Sequence, residues 1–184
     1  VGRLTAPRTQ VDLEQCLRAA LRDLAQLCEE TGAQVTHDPL PTLPGEKPLL
    51  TQLLTNLVSN ALKFHGSEPP RVHLAVRREG DLWQLSCSDN GIGIEPQYVD
   101  RVFLIFQRLH PRDVYEGTGI GLALCKKIVE YHGGQIWIDT EVKGGTMVRW
   151  TLPAGDDAPA SRGSVPVGAS VGDTENTSTG NEET

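Results

Sequence analysis

The chain has 184 residues, 38% of them hydrophobic, and a formal charge of −7. That suffices for one core plus a tail, and no apolar run nears the roughly 20 residues that span a bilayer. Six acids against Arg162 in residues 154–184 leave the rest near −2, which argues against general nucleic-acid binding, a function that wants a basic surface.

No basic, apolar leader opens the chain, and VGRLTAPRTQ reads as cut from something longer. A soluble cytoplasmic domain is expected, with residues 1–10 as a linker and no membrane contact. In VDLEQCLRAALRDLAQLCEETG, Leu13, Cys16, Leu17, Ala20, Leu21, Leu24 and Leu27 recur at helical spacing. Asp12 is the expected N-cap, Gln15 would complete a capping box, and Gly32 would stop the helix. AQVTHD is a short strand, and Pro39, Pro41, Pro44 and Pro48 then predict a loop. A second helix is expected over residues 46–64. Strands at 71–78 and 82–88 flank EGD as a hairpin. PQYVDRVFLIF is a short helix with proline near its first turn. Residues 107–118 read as a loop, and a helix over 120–132 stops at Gly133 and Gly134. QIWIDT and TMVRWTLP make two antiparallel strands around EVKGG. Past Pro153 the Gly, Ser, Thr and acid content predicts a disordered acidic tail over 154–184. The four cysteines form no C-x-x-C and read as small buried hydrophobes in a reducing cytosol.

Several stretches carry chemistry. On the second helix Gln52, Asn56, Asn60 and Lys63 share one face, opposite Leu50, Leu54, Leu57 and Ala61. An Asn carbonyl suits Mg²⁺ when phosphates complete its shell, and a lysine meets phosphate as a point charge. Alone, such a stripe also reads as a solvated polar face. SDNGIGI begins as an ordinary turn does, yet Ile92 and Ile94 alternate with Gly91 and Gly93. Asp89 at a strand end can accept from an exocyclic amine, and the glycines let a ring approach. YEGTGIGLALCKK sets Gly117, Gly119 and Gly121 in G-x-G-x-G at a helix start. That spacing is neither a P-loop nor a dinucleotide fingerprint. Free amides and the helix dipole attract phosphate there; a flexible hinge is the other reading. In VFLIFQRLH, Phe103 and Phe106 read as core, and Arg108 stands at the mouth of the following loop. KGGT also fits a plain hairpin turn. Lys126 and Lys127 fit a solvated face or a docking surface.

Taken in order, Asn-x-x-x-Asn, Asp-x-Gly-x-Gly, Phe-x-x-Phe, Gly-x-Gly-x-Gly and Gly-Gly-Thr resemble the ATP-binding domain of sensor histidine kinases, over residues 11–153. IFQRLH…YEGTGIGLALCKKIVEYHGGQIWI is most similar to the phytochrome-type branch. The resemblance implies an α+β, two-layer α/β sandwich of the Bergerat type, its mixed, mostly antiparallel sheet covered by helices on one face. It implies ATP and Mg²⁺ as ligands. Asn60 would ligate Mg²⁺, with Asn56 and Lys63 near the phosphates. Phe64 would pack near the adenine, Phe106 would belong to the nucleotide site, and Asp89 would accept from the adenine amino group, with Gly91 and Gly93 shaping the pocket. Arg108 would reach the γ-phosphate. Gly117, Thr118, Gly119, Ile120, Gly121 and Leu122 would form the phosphate cradle and lid, over about 107–118 and the helix start after it. Thr146 would sit at the adenine side.

Hydrolysing members of the wider superfamily, which includes DNA gyrase and a heat-shock chaperone, carry a glutamate base where this chain has Asn56. Its absence favours transfer to a protein histidine. That histidine belongs to a preceding helical hairpin. HDPLP, the nearest lookalike, lies among prolines that disfavour a helix. The chain is therefore expected to bind Mg-ATP without phosphorylating itself alone. The implied partners are an upstream phosphoacceptor and dimerisation domain, through which it would form a homodimer, and a response regulator. The alternative is a nucleotide-sensing module of a response-regulator phosphatase.

Overall fold

The computed structural model describes residues 8–103 and 121–155. Its first strand, β1 (Thr9–Asp12), pairs antiparallel with β3 (Thr42–Gly45) in a two-stranded sheet. Thr9 and Gln10 were expected in a linker and Thr42–Gly45 in a proline loop. Pro44 is compatible with a strand because a two-stranded sheet leaves each strand one open edge, where a missing N–H costs nothing. Val11 and Leu43 anchor the pair in the core.

The expected first helix is two helices, α1 (Leu13–Asp23) and α2 (Ala25–Thr31), broken at Leu24. Leu13, Cys16, Leu17 and Ala20 are buried on α1, whereas no residue of α2 is. The apolar spacing runs through the break, so periodicity conceals it. Asp12 caps α1 as expected, accepting from Glu14 N at 2.9 Å. The capping box does not form, because Gln15 Oε1 is taken by Lys47 Nζ at 2.9 Å. Gly32 ends α2 with φ +69°.

The main sheet has the order β2-β4-β5-β7-β6. It comprises β2 (Gln34–His37), β4 (Arg71–Glu79), β5 (Leu82–Asp89), β6 (Ile136–Ile138) and β7 (Thr146–Pro153). Only the β2–β4 pair is parallel. Alternation decides the layers. Val72, Leu74, Leu85, Cys87, Val148, Trp150 and Leu152 turn to one face and are buried. The intervening His73, Ser88, Arg149 and Thr151 turn to the other. On the buried face lies α3 (Lys47–Lys63), with α1 and α4 (Gly121–Tyr131) on its two sides. Leu50, Leu53, Leu54, Leu57, Val58, Ala61 and Leu62 of α3 are buried, so the expected apolar stripe faces sheet and helices together.

Over its described residues, 96–103, the helix expected from PQYVDRVFLIF is a single 3₁₀ turn, Pro96–Tyr98, followed by turns to Phe103. Among residues 96–103 Val102 alone is buried, too little apolar contact to hold a longer helix there. Among the described residues, no helix is long and apolar enough to cross a membrane.

Candidate functional site

The last turns of α3, the end of β5, the start of β7 and the first turn of α4 meet at one end of the sheet. Gly121, the first residue of α4, faces Asn60. A Cβ there would lie 3.5 Å from Asn60 Nδ2 and 3.6 Å from its Oδ1. One turn earlier, Asn56 Oδ1 accepts from Gln52 Nε2 at 2.8 Å. Asn56 Nδ2 is buried with no acceptor among the described residues. Its neighbour is Cys125, one turn into α4. Burial pushes that thiol up to about 12, with the Asn56 amide pulling the other way. Lys63 closes α3, half-buried in its last turn.

Phe64 follows directly and ties α3 to the β5 end. Its carbonyl accepts from Ile92 N at 3.1 Å. A Cβ on Gly91 would collide with that same oxygen. Asp89, the final residue of β5, stands opposite Thr146 in register. Its Oδ1 accepts from Gly91 N at 2.8 Å and Thr146 N at 3.3 Å. Among the described residues no donor meets Oδ2. Burial raises the Asp89 pKa, and the Gly91 and Thr146 amides pull it back. Gly91 and Gly93 are both points of close backbone approach. The space of a Gly91 side chain is taken by the Phe64 carbonyl, and a Cβ on Gly93 would lie 3.1 Å from Gly145 O. They let backbone meet backbone at this end of the sheet.

The structure thus brings together Asn56, Asn60, Asp89, Gly91, Gly93, Gly121 and Thr146, with Lys63 and Phe64 between them. Leu122 packs half-buried against the core. Phe106, Arg108, Gly117, Thr118, Gly119 and Ile120, with the 107–118 loop, lie outside the described residues. Two contributors were not singled out from sequence. Gly145 backs onto the Asp89 carbonyl, and Cys125 adjoins Asn56; the glycine pair of KGGT was the available signal for the first.

A second groove, lined by Gln34, Thr36, Arg71, His73, Ser88 and Asn90 among others, lies beside the same sheet end. Its histidine and asparagine are already engaged: Thr36 Oγ1 and His73 Nδ1 are 2.8 Å apart, and Asn90 Oδ1 accepts from Arg71 N at 2.7 Å.

Asparagines on a central helix, facing a glycine-started helix beside a strand-end aspartate on a one-sided sandwich, define the ATP-binding module that histidine kinases carry. Residues 45–156 match the family of histidine kinase-, DNA gyrase B- and HSP90-like ATPases, and the chain belongs to that family. Over 144 residues it is 50% identical to cyanobacterial phytochrome A of Nostoc sp. (strain PCC 7120). That match covers 78% of this chain and 19% of the relative, so the chain spans about a fifth of that protein's length. The mycobacterial sensor histidine kinase MprB superimposes with a TM-score of 0.67 at 26% identity, over 79% of this chain and 97% of that one. Full-length ShkA in complex with AMPPNP gives a TM-score of 0.69 at 25% identity, over 83% and 32%.

Proposed function

We propose that residues 11–153 bind Mg-ATP and pass its γ-phosphoryl group to a histidine on an upstream dimerisation domain. They would be the catalytic part of a two-component sensor histidine kinase, phytochrome-like in its relatives. One observation carries the reading: among the described residues neither Asp89 Oδ2 nor Asn56 Nδ2, an acceptor and a donor, has a partner, and Asn56 lies one turn before the Asn60 that faces Gly121. An orphaned buried donor is costly unless a ligand answers it.

In this reading Asp89 Oδ2 accepts from the adenine amino group, while the Gly91 and Thr146 amides hold its carboxylate in place and Gly93 shapes the pocket beside it. Phe64 and Phe106 flank the base. Asn56 and Lys63 meet phosphate, and Asn60 offers its carbonyl oxygen to Mg²⁺, which when bound neutralises phosphate charge. Gly117, Thr118, Gly119, Ile120, Gly121 and Leu122 cradle the phosphates, and Arg108 reaches the γ-phosphate. With an amide rather than a carboxylate at position 56, no base activates water. Catalysis is then positioning and charge neutralisation. The response regulator and a dimeric parent protein belong to the same proposal.

The test is calorimetric binding of AMPPNP with Mg²⁺. Asp89→Asn turns an acceptor into a donor toward the adenine amine and is expected to weaken binding by about tenfold or more. Equal affinity removes Asp89 from the site. Labelled ATP given to the full-length protein then separates the roles. Label on a histidine supports the kinase. Accelerated dephosphorylation of the regulator without that label supports the nucleotide-sensing alternative.

A further inference from the structure

We infer that Gln52 is a positioning residue that orients the Asn56 amide, so that Asn56 serves phosphate as a donor while Asn60 serves the metal as an acceptor. The inference rests on the reading that both asparagines face Mg-ATP. Asparagine has one acceptor and one donor end, and its role depends on which end is held. Gln52, one turn before Asn56 on the same face, donates Nε2 to Asn56 Oδ1 at 2.8 Å. That consumes the carbonyl. The NH₂ is left buried and unanswered among the described residues. The thiol beside it, Cys125, gives its S–H to Leu53 O at 3.9 Å, and its neutral sulfur, toward which the Asn56 amide leans, is only a weak acceptor. The acceptor that Nδ2 lacks is supplied by an anionic oxygen of the nucleotide. Among the described residues no such neighbour holds Asn60. Its amide faces the bare backbone of Gly121, so its carbonyl remains available.

Glutamine can donate or accept, so its replacement can reverse the setting. Gln52→Glu can only accept. It should turn the Asn56 NH₂ onto itself and present the carbonyl to phosphate. Gln52→Lys can only donate and should preserve the setting; Gln52→Met does neither. Gln52 is exposed, and all four residues are comparable helix formers, so the variants should fold. The expected order of AMPPNP–Mg²⁺ affinity is Lys near wild type, then Met, then Glu weaker by about tenfold. The Glu deficit should persist in 1 M salt, where screening acts within about 3 Å and a mere charge effect disappears.

A second readout is the Asn56 side-chain NH₂ resonance, identified by its loss in Asn56→Asp. It should shift on AMPPNP–Mg²⁺ binding in wild type and stay still in Gln52→Glu. Equal affinities across the series, or a Glu deficit that salt abolishes, would overturn the inference. Asp89→Asn and Asn60→Ala run alongside: if they too bind as wild type, it is the site reading that has failed.

Discussion

Gly144 and Gly145 are neighbours in one hairpin, and the chain needs them for different reasons. Gly144 has φ +79° and open space where a Cβ would stand. Gly144→Ala should therefore cost only left-handed backbone strain, about 1–2 kcal/mol. Gly145, at φ +143°, lies against the Asp89 carbonyl, and any side chain there collides with backbone. Gly145→Ala should cost about 3 kcal/mol or more in urea unfolding. Equal penalties would refute the close approach. Asp89 shows the opposite trade. Burial raises its pKa, so its ionised form is disfavoured in the folded state. Its contribution to stability is fullest below the ordinary carboxylate value of about 3.9 and declines as pH rises through the raised folded value. Asp89→Asn removes that cost. The ligand-free variant should unfold at higher urea than wild type at pH 7 while losing the nucleotide. A less stable variant would show that the carboxylate's two amide bonds outweigh its burial.

At the scale of elements, α4 links the site to the far end of the fold. Gly121 begins it beside Asn60, and His132 follows its last turn, 1% exposed. His132 Nδ1 donates to Ile128 O at 2.8 Å, and Nε2 accepts from Glu46 N at 3.1 Å. Only the neutral ring makes both bonds. It therefore pins the end of α4 to the N-cap of α3. Arg8, arriving just before β1, donates to Tyr131 O at 2.7 Å at the same corner. Burial lowers the His132 pKa; the Ile128 bond and Glu46 oppose this, and Arg8 adds to it. The unfolded chain then binds the proton more readily. Stability is full above about pH 6.5 and falls as pH drops below it. The loss of urea stability between pH 7.5 and 5.5 should shrink in His132→Gln. An unchanged slope would assign it to other histidines.

For the molecule as a whole, α3 is at once the centre of the core and one wall of the site. Its Leu53, Leu54, Leu57 and Leu62 are at most 2% exposed, while Asn56 and Asn60 between them are half-buried. Folding and nucleotide binding are therefore linked. Mg-ATP at a hundred times its dissociation constant should stabilise the wild type by about 2.7 kcal/mol, and Asp89→Asn by far less. A melting temperature insensitive to nucleotide would break that link.

The amino-acid sequence by itself determined the order of the boxes, the amphipathic face of α3 and the β4–β5 hairpin, because each depends on residues within one or two turns or across one short loop. It did not reveal the break at Leu24, where the apolar period continues unbroken, or the β1–β3 pair, whose partners are some thirty residues apart. Tertiary structure alone decided that Gly91, Gly93 and Gly145 serve backbone contacts, that His132 locks α3 to α4, and that the NH₂ of Asn56 is the end left without a partner among the described residues. Each depends on a group from a distant segment filling one small space, and local spacing carries no record of which segment arrives there.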